Sequence, residues 1–112
     1  MSLVTTHEGT LTFGHSPDPD DAYMFYGFHA GNIRVEVEEG SRRRQWDVAH
    51  ELQDIQTLNE RALRGELEIT AISAHAHPHV ADRYYVMRTG VSMGDGYGSI
   101  VVAREPCTLA DL

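Results

Sequence analysis

Leu11-Thr12-Phe13-Gly14-His15-Ser16-Pro17-Asp18-Pro19-Asp20-Asp21-Ala22-Tyr23-Met24-Phe25-Tyr26 is the stretch whose reading decides the fold. Leu11 to His15 is an apolar-alternating run, the pattern of a strand. Asp18 stands where a helix N-cap belongs and Pro19 at the first helical position. Asp20 and Asp21 fall in the first turn, where carboxylates favour the positive end of the helix dipole. A strand that runs straight into an acidic helix start predicts an open α/β sheet. Ligands of such sheets sit in the crevice outside the carboxyl ends of the strands, so His15 and Ser16 are the first place to look for function.

The helix is expected to reach about His29 and stop at Gly31. Ile33 to Glu39 alternates Ile33, Val35 and Val37 with polar or charged residues and predicts a half-exposed strand ending at Gly40. Gly40 to Trp46 reads as a polar loop, and Asp47 to Gln53 as a further strand. Asp54 then caps a helix that carries Ile55, Leu58, Ala62 and Leu63, with Gly65 placed to end it. Leu67 to Ile72 follows as a strand whose Ile69, Ala71 and Ile72 fit burial on both faces. A short His-rich element, a strand at Tyr84 to Arg88, a glycine-rich loop and a strand at Ser99 to Ala103 complete the chain. Strands and helices in alternation predict the α/β class, a mixed sheet flanked by helices.

The 112 residues fit one domain, and 41% hydrophobic with 23% charged residues is the composition of a globular chain. A net charge of -8 argues against nucleic acid as a partner, which needs a concentrated basic face. Arg42-Arg43-Arg44 is the one basic cluster, and Glu36, Glu38 and Glu39 stand just before it, so it reads as solvated. Cys107 is the single cysteine, which rules out an intramolecular disulfide. No apolar run approaches the roughly 20 residues of a membrane span, and the N-terminus lacks the pattern of a signal peptide. The expected compartment is the cytoplasm. Thr108-Leu109-Ala110-Asp111 looks like the opening turn of a helix, and the sequence stops at Leu112, as though the chain were the first lobe of something longer.

Three groups of residues are candidates for chemistry. Asp18, Asp20 and Asp21 read either as capping and dipole compensation or as a cation site, although they lack the oxygen-ligand spacing of a calcium loop. Carboxylates at this helix start would repel a phosphate, so a polyhydroxylated ligand suits the edge better. Ser73-Ala74-His75-Ala76-His77-Pro78-His79 follows the strand Leu67 to Ile72. On a strand the alternating histidines would share one face and could chelate zinc, whereas on a helix they scatter. No metal is assigned to them. Ser73 instead falls at a strand end, beside the first strand if the two are neighbours, where its hydroxyl and backbone N–H, with His75 close by, could bind a ligand. Gly94-Asp95-Gly96-Tyr97-Gly98-Ser99 is followed by a strand and carries no lysine, so it is neither a dinucleotide fingerprint nor a phosphate loop. It reads as a hairpin connection or as a loop whose bare backbone lets a substrate come close.

The junction Ser16 to Tyr26, the helix Asp54-Ile55-Gln56-Thr57-Leu58-Asn59 with Ala62-Leu63-Arg64-Gly65, Ser73 after its strand, and the run Gly94 to Arg104 together resemble one family. It is the 1,4-dihydroxy-6-naphthoate synthase family of the futalosine route to menaquinone, and the resemblance extends from Leu11 to about Pro106. It implies a two-lobed fold similar to type II periplasmic binding proteins, with a small-molecule substrate closed between the lobes. The reaction it implies is the base-initiated cleavage of cyclic dehypoxanthinyl futalosine to the naphthoate, a carbon-carbon lyase step with no metal or redox cofactor. Ser16, Asp18, Ser73, His75, Gly96, Gly98 and Ser99 would then line the substrate side of the first lobe. The base of the family lies in the second lobe and is expected beyond Leu112, so no position here inherits that role. Two other readings stand beside this one. The chain could be a non-catalytic solute-binding protein of the same fold, or a half-domain that pairs as a homodimer through an exposed surface.

Overall fold

The polar, β-branched start Val4-Thr5-Thr6 lengthens the first strand well beyond its apolar core segment. In the computed structural model, which describes residues 3–96, 98, 102–106, 108 and 110, β1 spans Val4–His15. It is followed by α1 (Pro19–His29), β2 (Val35–Glu39), β3 (Arg42–Leu52), α2 (Ile55–Arg64), β4 (Ile69–Thr70) and a 3₁₀ segment at Ala74–His79. The sheet order is β2-β3-β1-β4. β3 and β4 run parallel to β1, and β2 runs antiparallel to β3, so the sheet is mixed.

Two helices cover the C-terminal half of β1. The Phe13 ring meets Phe25 and Phe28 of α1 edge-on, at 6.2 and 5.1 Å between centroids. The next residue, Gly14, faces the other way, and a Cβ there would lie 2.6 Å from Leu67 and 2.9 Å from Leu58 of α2. Leu58, Ala62, Leu67 and Val80 form the buried apolar cluster on that side. α2 is fixed at both ends. The Asp54 carboxylate accepts the Thr57 N–H at 3.0 Å, and Gly65 closes the helix with φ +67°. Leu63, expected in the apolar stripe, is exposed.

Several expectations from the sequence are corrected. Gly40 to Trp46 is not a polar loop. The chain turns at Gly40 and Ser41, and Arg42, Arg43 and Arg44 open β3. Their charges are accommodated because the acidic strand lies opposite. Arg43 pairs with Glu38, and Arg44 with Glu8 at 3.3 Å, while the Arg44 guanidinium stands 5.1 Å over the Trp46 ring. Within β1 the register against β3 shifts between His7 and Thr10, a bulge that Gly9 permits with φ +125°.

The strand expected over Leu67 to Ile72 contracts to Ile69–Thr70, and Ile69, Ala71 and Ile72 are half-buried rather than buried on both faces. Tyr84 to Arg88 is not a strand. Val80 is buried there, the Arg83 side chain donates to the Leu63 carbonyl at 3.0 Å, and the Tyr84 hydroxyl donates to the Leu67 carbonyl at 2.7 Å. These contacts fold the segment back against α2 and the lead-in to β4. The expected strand at Ser99 to Ala103 falls mainly outside the described residues; Val102 and Ala103 are not in a strand. The expected helix start after Thr108 also lies mostly outside them, and so does Leu112, the residue beyond which the catalytic base is expected.

Candidate functional site

Three parallel strands end at one edge of the sheet. The Gln53 N–H donates to the His15 carbonyl at 3.0 Å, and the Ala71 N–H to the Gly14 carbonyl at 2.7 Å. This brings the loops after β3, β1 and β4 together. The chain leaves β1 for β3 on one side and then crosses back to β4 on the other. The order therefore reverses between β1 and β4, the switch point at which open α/β sheets hold ligands. Ser16 follows β1 directly, and Ser73 stands three residues past the end of β4, the neighbour of β1, at the start of the 3₁₀ segment rather than at the strand end expected from the sequence.

Ser16 is 3% exposed, so its hydroxyl is buried at the junction rather than open at a crevice mouth. Its N–H donates to the Asp21 carboxylate at 2.7 Å, and its Oγ accepts the Asp18 N–H at 3.2 Å. Asp21 is thus a buried carboxylate that reaches back to hold the chain entering α1. Asp18 occupies the N-cap position, exposed and without a side-chain cap bond. With Pro17, Leu52, Gln53, Asp54, Ile55 and Thr57 it lines an open cleft of ≈ 570 Å³ on the β3 side of β1. The Thr57 hydroxyl and backbone N–H hold the Asp54 carboxyl below its ordinary pKa.

Ser73 is engaged by a residue that sequence reasoning missed. Asn59 of α2 is 8% exposed, and its Oδ1 accepts the Ser73 N–H at 2.9 Å while its Nδ2 donates to Ser73 Oγ at 2.6 Å. The Ser73 N–H is therefore taken by the protein, and its hydroxyl proton and one Oγ lone pair are left for a ligand. The histidines that follow lie on the 3₁₀ segment, where His75 and His79 are exposed and His77 Nε2 stands 3.3 Å from the Tyr84 carbonyl. Among the described residues no three His, Cys, Asp or Glu side chains are grouped to hold a metal ion. Gly96 and Gly98 are exposed, with open space where a Cβ would stand; Ser99 lies outside the described residues.

A second missed feature is a cluster of imidazoles beneath the same edge. His15 stacks on Phe25 at 4.4 Å between centroids, with an 8° angle between planes. Its Nδ1 lies 3.0 Å from the Ser16 carbonyl and its Nε2 2.9 Å from His50 Nδ1. A carbonyl only accepts, so His15 carries its proton on Nδ1 and its Nε2 accepts from His50. That leaves His50 Nε2, buried and without a partner, as a bare lone pair. The exposed His29 ring stands edge-on to His50 at 5.6 Å. No spacing rule could find this group, because it assembles from β1, β3 and α1.

A family model described as menaquinone biosynthesis matches residues 11–111. Over 96 residues the chain is 38% identical to the 1,4-dihydroxy-6-naphthoate synthase of Thermus thermophilus, covering 86% of this chain and 32% of that protein. The protein of the same name from Streptomyces coelicolor is 30% identical over 96 residues, covering 86% and 31%. Among solved structures, protein AF1704 of Archaeoglobus fulgidus superposes with a TM-score of 0.64 at 40% identity, covering 80% of this chain and 30% of that one. The chain spans about a third of the length of the curated relatives it matches.

Proposed function

This chain belongs to the menaquinone-biosynthesis family, and on that premise we propose that it forms the substrate-binding first lobe of a carbon-carbon lyase. The reaction is the conversion of cyclic dehypoxanthinyl futalosine to 1,4-dihydroxy-6-naphthoate, in a cytoplasmic, two-lobed protein similar in fold to type II periplasmic binding proteins. One observation carries the reading. The family match includes both loops of the switch point, at Ser16 and Ser73, and the curated relatives bear the name of that synthase.

In this reading the lobe holds and orients the substrate. Ser73 presents its hydroxyl proton to a substrate oxygen. Asp18 accepts from substrate hydroxyls across the cleft, His75 and the loop containing Gly96, Gly98 and Ser99 border the ligand, and Ser16 fixes the strand end beneath it. The base that starts the elimination comes from residues beyond Leu112. A single wall cannot hold the reacting groups from both sides, and the rate advantage of a closed site comes from that fixation.

The test mixes this chain with the part of the Thermus thermophilus relative that lies outside the matched third. Cyclic dehypoxanthinyl futalosine is added, and the naphthoate is sought by mass spectrometry. Product is expected from the mixture and not from either piece alone. Product from this chain alone would place the base within these 112 residues. Calorimetric binding with no product in the mixture would favour a solute-binding role, and no binding at all would overturn the substrate assignment.

A further inference from the structure

We propose that Asn59 is a positioning residue that fixes the Ser73 hydroxyl as a hydrogen-bond donor toward the crevice, selecting a ligand oxygen that accepts. The inference rests on the reading that the β1/β4 edge binds the substrate, and it adds the polarity of the contact. The argument begins at the backbone. The Ser73 N–H can only donate, so the Asn59 atom 2.9 Å from it is the carbonyl oxygen, and the amide cannot be flipped. The Nδ2 group then necessarily faces Ser73 Oγ, at 2.6 Å. A hydroxyl that accepts from Nδ2 has its own proton directed elsewhere.

Ser73 sits at the N-cap position of the 3₁₀ segment, yet its Oγ accepts no cap bond from the turn that follows and accepts instead from Asn59 Nδ2. Asn59 is 8% exposed, and its two bonds to Ser73 fix the orientation of the amide. A ligand carboxylate, carbonyl or hydroxyl oxygen meets a donor prepared in advance. A ligand N–H at the same point finds only the second lone pair of Oγ and leaves that donor unmatched.

Asn59→Asp is the discriminating variant. A carboxylate still accepts the Ser73 N–H, but its second oxygen also accepts, so the hydroxyl turns its proton inward and offers the ligand a lone pair. Titrated calorimetrically with cyclic dehypoxanthinyl futalosine, Asn59→Asp is expected to bind about 10-fold more weakly than the unaltered chain. Ser73→Ala should lose a similar factor, and the double variant should bind as Ser73→Ala does. An Asn59→Asp loss that persists undiminished in the Ser73→Ala background would overturn the proposal, because it would mark a merely structural role. A ligand-free measurement keeps the two readings apart. In ¹⁵N spectra one Asn59 side-chain proton is expected to exchange slowly and to lose that protection in Ser73→Ala. Exchange as fast as that of a solvent-exposed amide in the unaltered chain would refute the positioning role. No heat from the unaltered chain, with that protection present, would instead sink the substrate assignment.

Discussion

Burial lowers the pKa of His50, and the neighbouring His15 and His29 push it further down. His50 is thus neutral in the fold at pH values where an exposed histidine has begun to charge. The unfolded chain takes up that proton at about pH 6.5 and the folded chain only below it. Stability from this site is therefore complete above pH 6.5 and lost as pH falls through the lower, folded value. The melting temperature is expected to drop between pH 7 and pH 5, and His50→Gln should show a visibly flatter profile by circular dichroism. His15 of β1, His29 of α1 and the Phe13 ring face the group, and none of them offers His50 a carboxylate partner. Asp21 works at the same scale. Its buried carboxylate holds the Ser16 N–H, so Asp21→Ala should cost about 1–3 kcal/mol in urea unfolding, the cost of a buried donor left unsatisfied. Asp20→Ala, at an exposed carboxylate bonded to the Ser92 hydroxyl, should leave the urea midpoint nearly unchanged.

Among the elements, a tight passage lies where β1 crosses α2. The Cβ of Gly14→Ala would come within 2.6 Å of Leu67, 2.9 Å of Leu58 and 3.1 Å of Thr70, and two of these side chains belong to the buried cluster. Overpacking there is expected to cost about 1–3 kcal/mol in a urea melt, and an unchanged midpoint would mean that α2 shifts without cost. The same elements show how far the sequence was readable. α2 was legible because Asp54, the Leu58–Ala62 spacing and Gly65 all serve one local helix. The junction from His15 into α1 was legible for the same reason. Of β3 only the second half was, as the strand expected over Asp47 to Gln53; its opening was not, because three consecutive arginines suggest solvent unless the partner strand is known to present Glu36, Glu38 and Glu39. The acidic run, the glycine and the basic run that follows were the available signal of a charge-complementary hairpin. Ser73 could be placed after its strand from the sequence, although the strand itself stops at Thr70, but Asn59 could not be joined to it. The bond between them spans 14 positions and depends on how α2 lies against β4.

At the scale of the molecule, the sheet reaches farther than its helices. The radius of gyration is 18.9 Å, against about 13 Å for a compact chain of this length. Both helices pack on the C-terminal part of β1, and the rest of β1 with β2 and the start of β3 extends as a ribbon held by ion pairs. Surface pairs of this kind contribute little each, so cohesion falls to the apolar contacts around Phe13 and the α2 cluster. Among the described residues the buried apolar side chains are Phe13, Leu58, Ala62, Leu67 and Val80, while Tyr23, Tyr85 and Met93 are 88, 97 and 82% exposed. A chain with so much apolar surface open to water lowers its free energy by covering it. By itself at high concentration it is expected to self-associate, with sedimentation velocity showing a mass that rises between about 10 and 200 μM. The dye ANS should fluoresce with the dilute chain and less when the complementary part of the Thermus thermophilus relative is added. A monomer at every concentration that ignores both the dye and the added piece would show that this surface needs no cover.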